Sequence, residues 1–541
     1  MMDLSAVVAW PRLSRLIFGS RFYAWTLSGS SPERLRGSPP QPWPGDPAGA
    51  ISFLESPSLL PGITKTLSTV PWRGLAEGDP KALMYHQFSW LADLHALGTD
   101  AARKRAQTLL LSWIDDQSTW HALSWRPDIL GERLSHWLNH HDFLTIRLDD
   151  PSRLHFYGSM ARQVRHLKRT INAPPRDDRA FWAIKGLIYG GVCLPGFESV
   201  LDDGLSRLEK LTTKQILPDG GHISRNPSLM FQLLRLFIDL RSILMAGQIE
   251  VPEHLQNVID RMGPILRGLR LGDGGMALFN GGAMESNDSI NQTFIQAGTK
   301  AKAINNAPHT GYQRMVAKRT VIILDAGKPP PRPFDSHAHA APLSFELSIG
   351  KERLIVNCGS FTGADPAWHN ALRATAAHSV MTVNDTNAIE MTPQDGLLSK
   401  NVQVDYARQE SEGSIWLETS HNCYNKRFNI THKRRLYLAA DGDDIRGDDE
   451  LTGAVAGTYA IRFHLHPDVR ASLVQDGSAI LMRLKSGAGW RLRVNGGVLS
   501  LDDSIYLGDG RNAKRSQQAV ISGSLGPDGA LIKWRLDHVK S

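Results

Sequence analysis

The sequence predicts an α+β multidomain chain, with a helical N-terminal domain of stacked antiparallel hairpins followed by an antiparallel β-sandwich. Three observations carry this. At 541 residues the chain exceeds the ~250–300 at which a single core stops growing. Apolar residues recur with helical period from about 81 to 312. From about 313 the period falls to two, in short runs separated by Asp-Gly and Asn-Gly turns with no helical stretch between them.

Residues 1–80 read as a loop-rich arm, typified by Ser38-Pro-Pro-Gln-Pro-Trp-Pro-Gly-Asp-Pro. The helical domain spans 81–312, with helices at about 81–97, 100–116, 128–144, 152–171, 180–191 and 199–213. The clearest helix runs from Asn226 to Gly247. Leu229, Leu233, Leu236, Phe237, Leu240 and Leu244 share one of its faces, Asn226 suits the N-cap, Pro227 the first turn and Gly247 the stop. Leu255, Val258, Met262, Ile265, Leu266 and Leu269 mark the next helix. An α/α toroid is one architecture such hairpins build; a bundle or solenoid is the alternative. The sandwich domain spans 313–541. Its strands are expected at Thr320–Leu324, Leu343–Ile349, Leu354–Asn357, Ser379–Val383, Ile415–Thr419, Arg435–Leu438, Tyr459–Leu465 and Trp490–Val494.

Composition excludes several classes. A net charge of +7, from 61 Lys+Arg against 54 Asp+Glu, is a mild surplus for this length. It lacks the dense basic blocks of a nucleic-acid binder but is compatible with an acidic substrate. Three dispersed cysteines make neither a disulfide framework nor a CxxC motif. The longest uncharged apolar run, Gly186–Phe197, is too short to span a bilayer, so no transmembrane segment is expected. Ala6-Val-Val-Ala-Trp is interrupted by Arg12, Arg15 and Arg21, a poor export signal that favours the cytoplasm.

The motif richest in chemistry is His337-Ala-His339, on a segment read as extended, where side chains two apart share a face. The proline run Lys328-Pro-Pro-Pro-Arg-Pro precedes it. His464-Leu-His466 repeats the spacing without comparable surroundings and reads as structural. Gly272-Asp-Gly-Gly lacks the strand and Lys-Ser/Thr of a phosphate loop. Trp120, Trp125, Trp137 and Trp182 suit sugar stacking, though helix packing is the commoner use of such rings.

His337-Ala-His339-Ala-Ala-Pro-Leu-Ser-Phe-Glu-Leu, Arg353-Leu-Ile-Val-Asn357-Cys-Gly-Ser and Ala374-Thr-Ala-Ala-His378-Ser-Val, in that order, resemble the C-terminal signature of the heparinase II/III family of polysaccharide lyases. Leu217-Pro-Asp-Gly-Gly-His222-Ile-Ser-Arg225-Asn-Pro and Gly272-Asp-Gly-Gly extend the likeness more loosely upstream. The resemblance implies an α/α toroid, a β-sandwich and β-elimination at a uronic acid. That chemistry needs the carboxylate neutralised, the C5 proton removed and O4 protonated. By resemblance His222 and His337 are the catalytic residues; Arg225, beside His222 at a helix N-terminus, reads equally as a substrate-binding carboxylate clamp or as a salt-bridge residue. His339, Asn357 and His378 are the ligands of one structural divalent metal, zinc by ligand type. Asn357 stands where the family has Asp, and a neutral amide is a poorer ligand. No Tyr lies between 222 and 312, where the family's catalytic Tyr is expected; Phe279 is near its place, with Tyr189 and Tyr312 as substitutes. The implied partner is an acidic polysaccharide, not a nucleic acid, and the resemblance points to the periplasm. The rival reading is a non-catalytic glycan-binding or cell-envelope accessory protein on the same scaffold. A metal-dependent hydrolase is disfavoured by the lack of strand–helix alternation. Oligomeric state is not legible.

Overall fold

The computed structural model describes residues 15–55, 72–75, 80–172, 177–363, 365–392, 396–453 and 456–539. Within the expected loop-rich arm it places helices Arg21–Thr26 and Pro47–Glu55, while residues 1–14, 56–71 and 76–79 lie outside the described residues. The chain divides into two compact units. The first comprises residues 1–214 and 235–257, the second 215–234 and 258–541. The boundary expected at 312 therefore moves: two stretches of the helical region belong to the unit that carries the sheets.

In the first unit the helices fall where the periodicity puts them: Asp100–Asp116, Pro127–Asn139, Asp150–Thr170, Ala180–Cys193 and Glu198–Gln215. The helix expected at 81–97 breaks into Pro80–Gln87 and Leu91–Leu97, with Phe88 at φ 61° between them. The helix expected at 128–144 breaks at His140. Pro127–Asn139 and Ala180–Cys193 cross at two glycines: a Cβ on Gly131 would lie 2.0 Å from the Trp182 carbonyl oxygen, and one on Gly186 2.4 Å from the Gly131 Cα. Trp113, Trp137 and Phe88 pack edge to face beside this crossing, and the Arg133 guanidinium covers Trp113 at 4.1 Å. Trp125 and Trp137 are buried packing residues, not exposed platforms.

The helix Pro227–Ala246 starts as the sequence requires, with Asn226 Oδ1 accepting the Leu229 N–H at 3.1 Å. Its left-handed terminal residue is Gln248 (φ 55°), one position beyond the expected Gly247. Gly247 is needed for space instead, since a Cβ there would lie 2.7 Å from Val192 Cγ1. Helices Asn287–Ala297 and Pro366–Arg373 carry no apolar period long enough to have been read.

The second unit holds two antiparallel eight-stranded sheets among the described residues. One runs β1 (Tyr312–Ala317), β2 (Thr320–Asp325), β3 (Phe345–Ile349), β4 (Glu352–Val356), β10 (Gly457–Leu465), β15 (Lys514–Leu525), β14 (Val498–Tyr506), with β5 (Met381–Val383) also paired to β10. The other runs β11 (Arg470–Val474), β12 (Ala479–Arg483), β13 (Gly489–Asn495), β16 (Ala530–Val539), β9 (Asp444–Thr452), β8 (Thr431–Leu438), β7 (Ser414–His421), β6 (Val404–Ser411). Each expected strand is present. Alternating inward residues of both sheets form one core, in which Phe345 and Phe463 pack on Trp534 from the opposite sheet.

The two glycine motifs explain why helical-region segments join this unit. Leu217-Pro-Asp219-Gly-Gly-His222 and Leu271-Gly-Asp273-Gly-Gly-Met276 form the same small hairpin. Ile216 bridges His222 as Arg270 bridges Met276, and Leu217 and Leu271 each donate to the second glycine's carbonyl. Each aspartate ties its hairpin to the sandwich side. Asp219 accepts the N–H groups of His309 and Thr310, and Asp273 pairs with Arg353 Nε at 2.7 Å. The glycine-rich segments are thus structural clips. Among the described residues no helix is long and apolar enough to cross a membrane.

Candidate functional site

His222, Arg225, His337, His339, Asn357 and His378 all belong to the second unit. His222 is the counterpart of Met276 in the repeated hairpin and, like it, is wholly buried. Its Nε2–H donates to Gln215 Oε1 at 2.9 Å, and Nδ1 accepts from the Ser224 hydroxyl (2.8 Å) and backbone N–H (3.1 Å). Burial pushes its pKa down to about 3. The ring for which a catalytic role was expected is thus buried, with both nitrogens bonded to internal partners.

The folded ring stays neutral while an unfolded histidine takes up a proton near pH 6.5. The unfolded state therefore binds more protons between pH 6.5 and about 3. Stability is full above that window and is lost as pH falls through it. In His222→Gln, the slope of stability against pH between 6.5 and 4 should flatten by one proton's share, up to ~1.4 kcal/mol per pH unit. Melting curves over that range check this; an unchanged slope would show that His222 titrates normally in the fold.

Arg225 takes the salt-bridge alternative of its two expected roles. It is 6 % exposed, paired with Asp325 through Nη2, and donates to the carbonyls of Thr310 (2.7 Å) and Lys328 (2.9 Å). Its own carbonyl accepts from the Tyr312 hydroxyl, which also accepts from Asn280 Nδ2 at 3.0 Å. Tyr312 is buried with its pKa raised by desolvation, and Phe279 packs against it at 5.3 Å. Tyr189 belongs to the other unit, where it is buried and its pKa is likewise raised by desolvation.

The histidine pair does not lie on an extended segment. A turn across residues 331–338, closed by Phe334 N–H to Pro331 and Ala338 N–H to Asp335, carries His337 at its end, and both histidines line one cavity. His337 is exposed at the turn's end and His339 is buried. His339 meets His378, the two rings bonded Nδ1 to Nε2 at 2.7 Å. The Ala374 carbonyl can only accept, so His378 Nδ1 carries a proton (2.8 Å) and its Nε2 accepts from His339. His339 Nε2 then accepts from the Gly281 N–H (3.0 Å) and the Ser360 hydroxyl (3.2 Å). That assignment leaves the Asn280 N–H, 3.1 Å from Nδ1, facing a second donor, so it contributes no bond. Desolvation, above all, and the neighbouring His378 hold the His339 pKa well below its usual value.

Asn357 stands one strand away from the pair's partner, its Oδ1 accepting the Ser379 N–H at 3.0 Å. His339 and His378 thus bond each other, Ser360 and backbone groups, while Asn357 Nδ2 is buried without a partner among the described residues. Among the described residues no group of three or more His, Cys, Asp or Glu is placed to hold a metal ion. Two imidazoles bonded to each other and a neutral amide make a poor donor set for zinc.

What does open to solvent is a cavity of about 230 Å³ lined by Asn226, Gly281, His337, Phe361, His369 and Arg373, with His339 and Ser360 at its base. Gly281 (φ 89°) admits no side chain: a Cβ would lie 2.7 Å from His337 Cβ and 2.9 Å from Asn226 Nδ2. The His337 and His369 rings meet edge to face at 5.4 Å. Trp368, 38 % exposed, and Phe361 lie together, ring centres 6.1 Å apart. His369 and Arg373 were missed by sequence reading. Their i, i+4 spacing on Pro366–Arg373 was the available signal. The arrangement presents imidazoles and an amide to a small hydroxyl-rich or anionic ligand, while the buried Arg373 guanidinium donates to the Ala338 (3.0 Å) and Asp335 (3.3 Å) carbonyls.

A helical N-terminal part joined to an antiparallel β-sandwich with this histidine-lined pocket defines the polysaccharide-lyase class of scaffold. The model for "Heparinase II/III-like, C-terminal" matches residues 299–535. FtsZ-localized protein C of Caulobacter vibrioides is 32% identical over 551 residues, covering 96% of this chain and 93% of the relative. The chain belongs to the heparinase II/III-like family. Among solved structures it resembles heparinase III with a TM-score of 0.75 at 14% identity, covering 99% and 92% of the two chains. It also resembles the heparan sulfate lyase HepC of Pedobacter heparinus, with a TM-score of 0.63 at 15% identity, covering 99% and 90%. These likenesses show the shared fold.

Proposed function

We propose that this chain recognises an acidic glycan in the His337 pocket and works as an FtsZ-associated accessory protein on the lyase scaffold, without efficient β-elimination. The observation that carries the reading is the enclosure of His222. Elimination needs a charge-neutralising group, a base and an acid converging on one sugar. Here His222, Arg225 and Tyr312 are buried and spent on internal partners. The near full-length relationship to FtsZ-localized protein C supports the same direction.

A second reading, slow lyase activity, is favoured by one observation: His337 is exposed beside His369, two imidazoles that between them suit a base and an acid. The test is titration of the whole chain with uronate-containing oligosaccharides, read by tryptophan fluorescence, beside co-sedimentation with polymerised FtsZ. Binding should weaken in His337→Ala by about tenfold, the loss of one charged or polar anchor. The chain should pellet with FtsZ polymer. Absence of both glycan binding and co-sedimentation would overturn the proposal.

A further inference from the structure

We infer that the outer face of the second sheet is a separate binding surface for an acidic polysaccharide strand, laid across the strands along the row Arg493, Arg535, Arg446, Tyr437 and Trp416. The register places these five residues directly opposite one another on β13, β16, β9, β8 and β7. Side chains in one such row project from the same face and stand a strand spacing apart, about 4.8 Å. The row lies in a hollow of about 820 Å³, continued over Trp416 and Arg435 by a second of about 480 Å³.

Three features point to a ligand. Like charges directly opposite across neighbouring strands destabilise a sheet, yet three arginines stand so, their side chains 42 %, 45 % and 57 % exposed for Arg493, Arg535 and Arg446. Their carboxylate partners are shared. Asp444 serves both Arg446 (2.6 Å) and Arg535 (2.8 Å), and Asp537 serves both Arg493 (3.0 Å) and Arg491 (2.8 Å). The row therefore keeps a positive surplus, although Arg435 beside it is matched by Asp448 and Glu450. The same row ends in two aromatic faces: Trp416, 41 % exposed, lies 4.9 Å from Tyr437, which Arg446 caps at 5.4 Å. Gly447, the next residue after Arg446, faces the core instead, where a Cβ would strike the Trp534 ring at 2.1 Å.

Guanidiniums bind carboxylate and sulfate in paired hydrogen bonds, and aromatic faces stack on sugar rings. A row that combines both fits a chain of acidic sugars. An acidic peptide would use the arginines and leave Trp416 idle. This surface does not include His337, so it stands or falls independently of the pocket.

The experiment titrates the full chain with a heparin octasaccharide and a polygalacturonate oligosaccharide, beside a poly-glutamate peptide and a single-stranded oligonucleotide. Wild type, Trp416→Ala, Arg535→Gln and His337→Ala are compared, and melting curves confirm that each is folded. Trp416→Ala and Arg535→Gln should each weaken saccharide binding about tenfold. Arg535→Gln should also lower its salt dependence, and His337→Ala should leave the response of these two residues intact. Poly-glutamate should bind weakly and be indifferent to Trp416→Ala. Saccharide binding unchanged in both sheet variants would overturn the inference. So would tighter, Trp416-dependent binding of the oligonucleotide or the peptide.

Discussion

Arg225→Ala should cost about 3–5 kcal/mol of stability, because it leaves Asp325 as a buried carboxylate without its cation. Asp325 is 8 % exposed, and its remaining partners are the Gly327 N–H (3.1 Å) and Asn280 Nδ2 (3.2 Å), both neutral. The Thr310 and Lys328 carbonyls lose their donor as well. A fall in melting temperature on the order of 10 °C follows. Arg225→Lys keeps the charge but not the fork, and should fall between. Were Arg225 a substrate clamp, the alanine variant would melt as wild type and lose only glycan affinity. Thermal unfolding of the two variants beside glycan titration separates the roles.

Asp449→Ala should be at least as damaging, with a loss of about 3–5 kcal/mol. Asp449 is fully buried and satisfies three residues. Oδ1 takes His432 Nε2 and Arg434 Nε, each at 2.7 Å, and Oδ2 takes Arg434 Nη2 (3.2 Å) and Trp534 Nε1 (3.0 Å). Burial opposes its charge, but Arg434 and His432 win and hold the carboxyl well below the usual carboxylate range. Arg434 also donates to the carbonyls of Leu343 (2.9 Å) and Ser379 (3.1 Å). Ser379 adjoins His378, so this node of the second sheet sets the backbone under the histidine pair. The variant should therefore lose glycan binding at the His337 pocket together with its stability, whereas His337→Ala should lose binding alone. Denaturant unfolding checks the first effect; wild-type stability in Asp449→Ala would refute it.

The fold was legible because both periods are clean. Leu233, Leu236, Phe237, Leu240 and Leu244 are all buried, and β7 and β8 alternate inside and outside residue by residue. The site was legible only where a motif is held by local geometry. His339 and His378, 39 residues apart, do meet. His222 was singled out by likeness to a family motif, which does not show whether the side chain is enclosed. The same Asp-Gly-Gly loop recurs at Asp273-Gly-Gly-Met276, and there the corresponding residue is plainly a core residue. His337 misled differently. Alternation assumes an extended chain, and the turn closed at Pro331 and Asp335 breaks it. The charged row on the second sheet was invisible because it depends on register between strands up to about 120 residues apart in sequence, which no local pattern encodes.

The most direct measurement is ultraviolet absorbance of the purified chain incubated with heparan sulfate, heparin, alginate, hyaluronan and bacterial exopolysaccharides, with binding followed on the same samples. Enclosure of His222, Arg225 and Tyr312 predicts no rise from conjugated unsaturated uronate on any polymer that binds. A steady rise that His337→Ala abolishes would contradict the account and make the exposed His337–His369 pair a working elimination site.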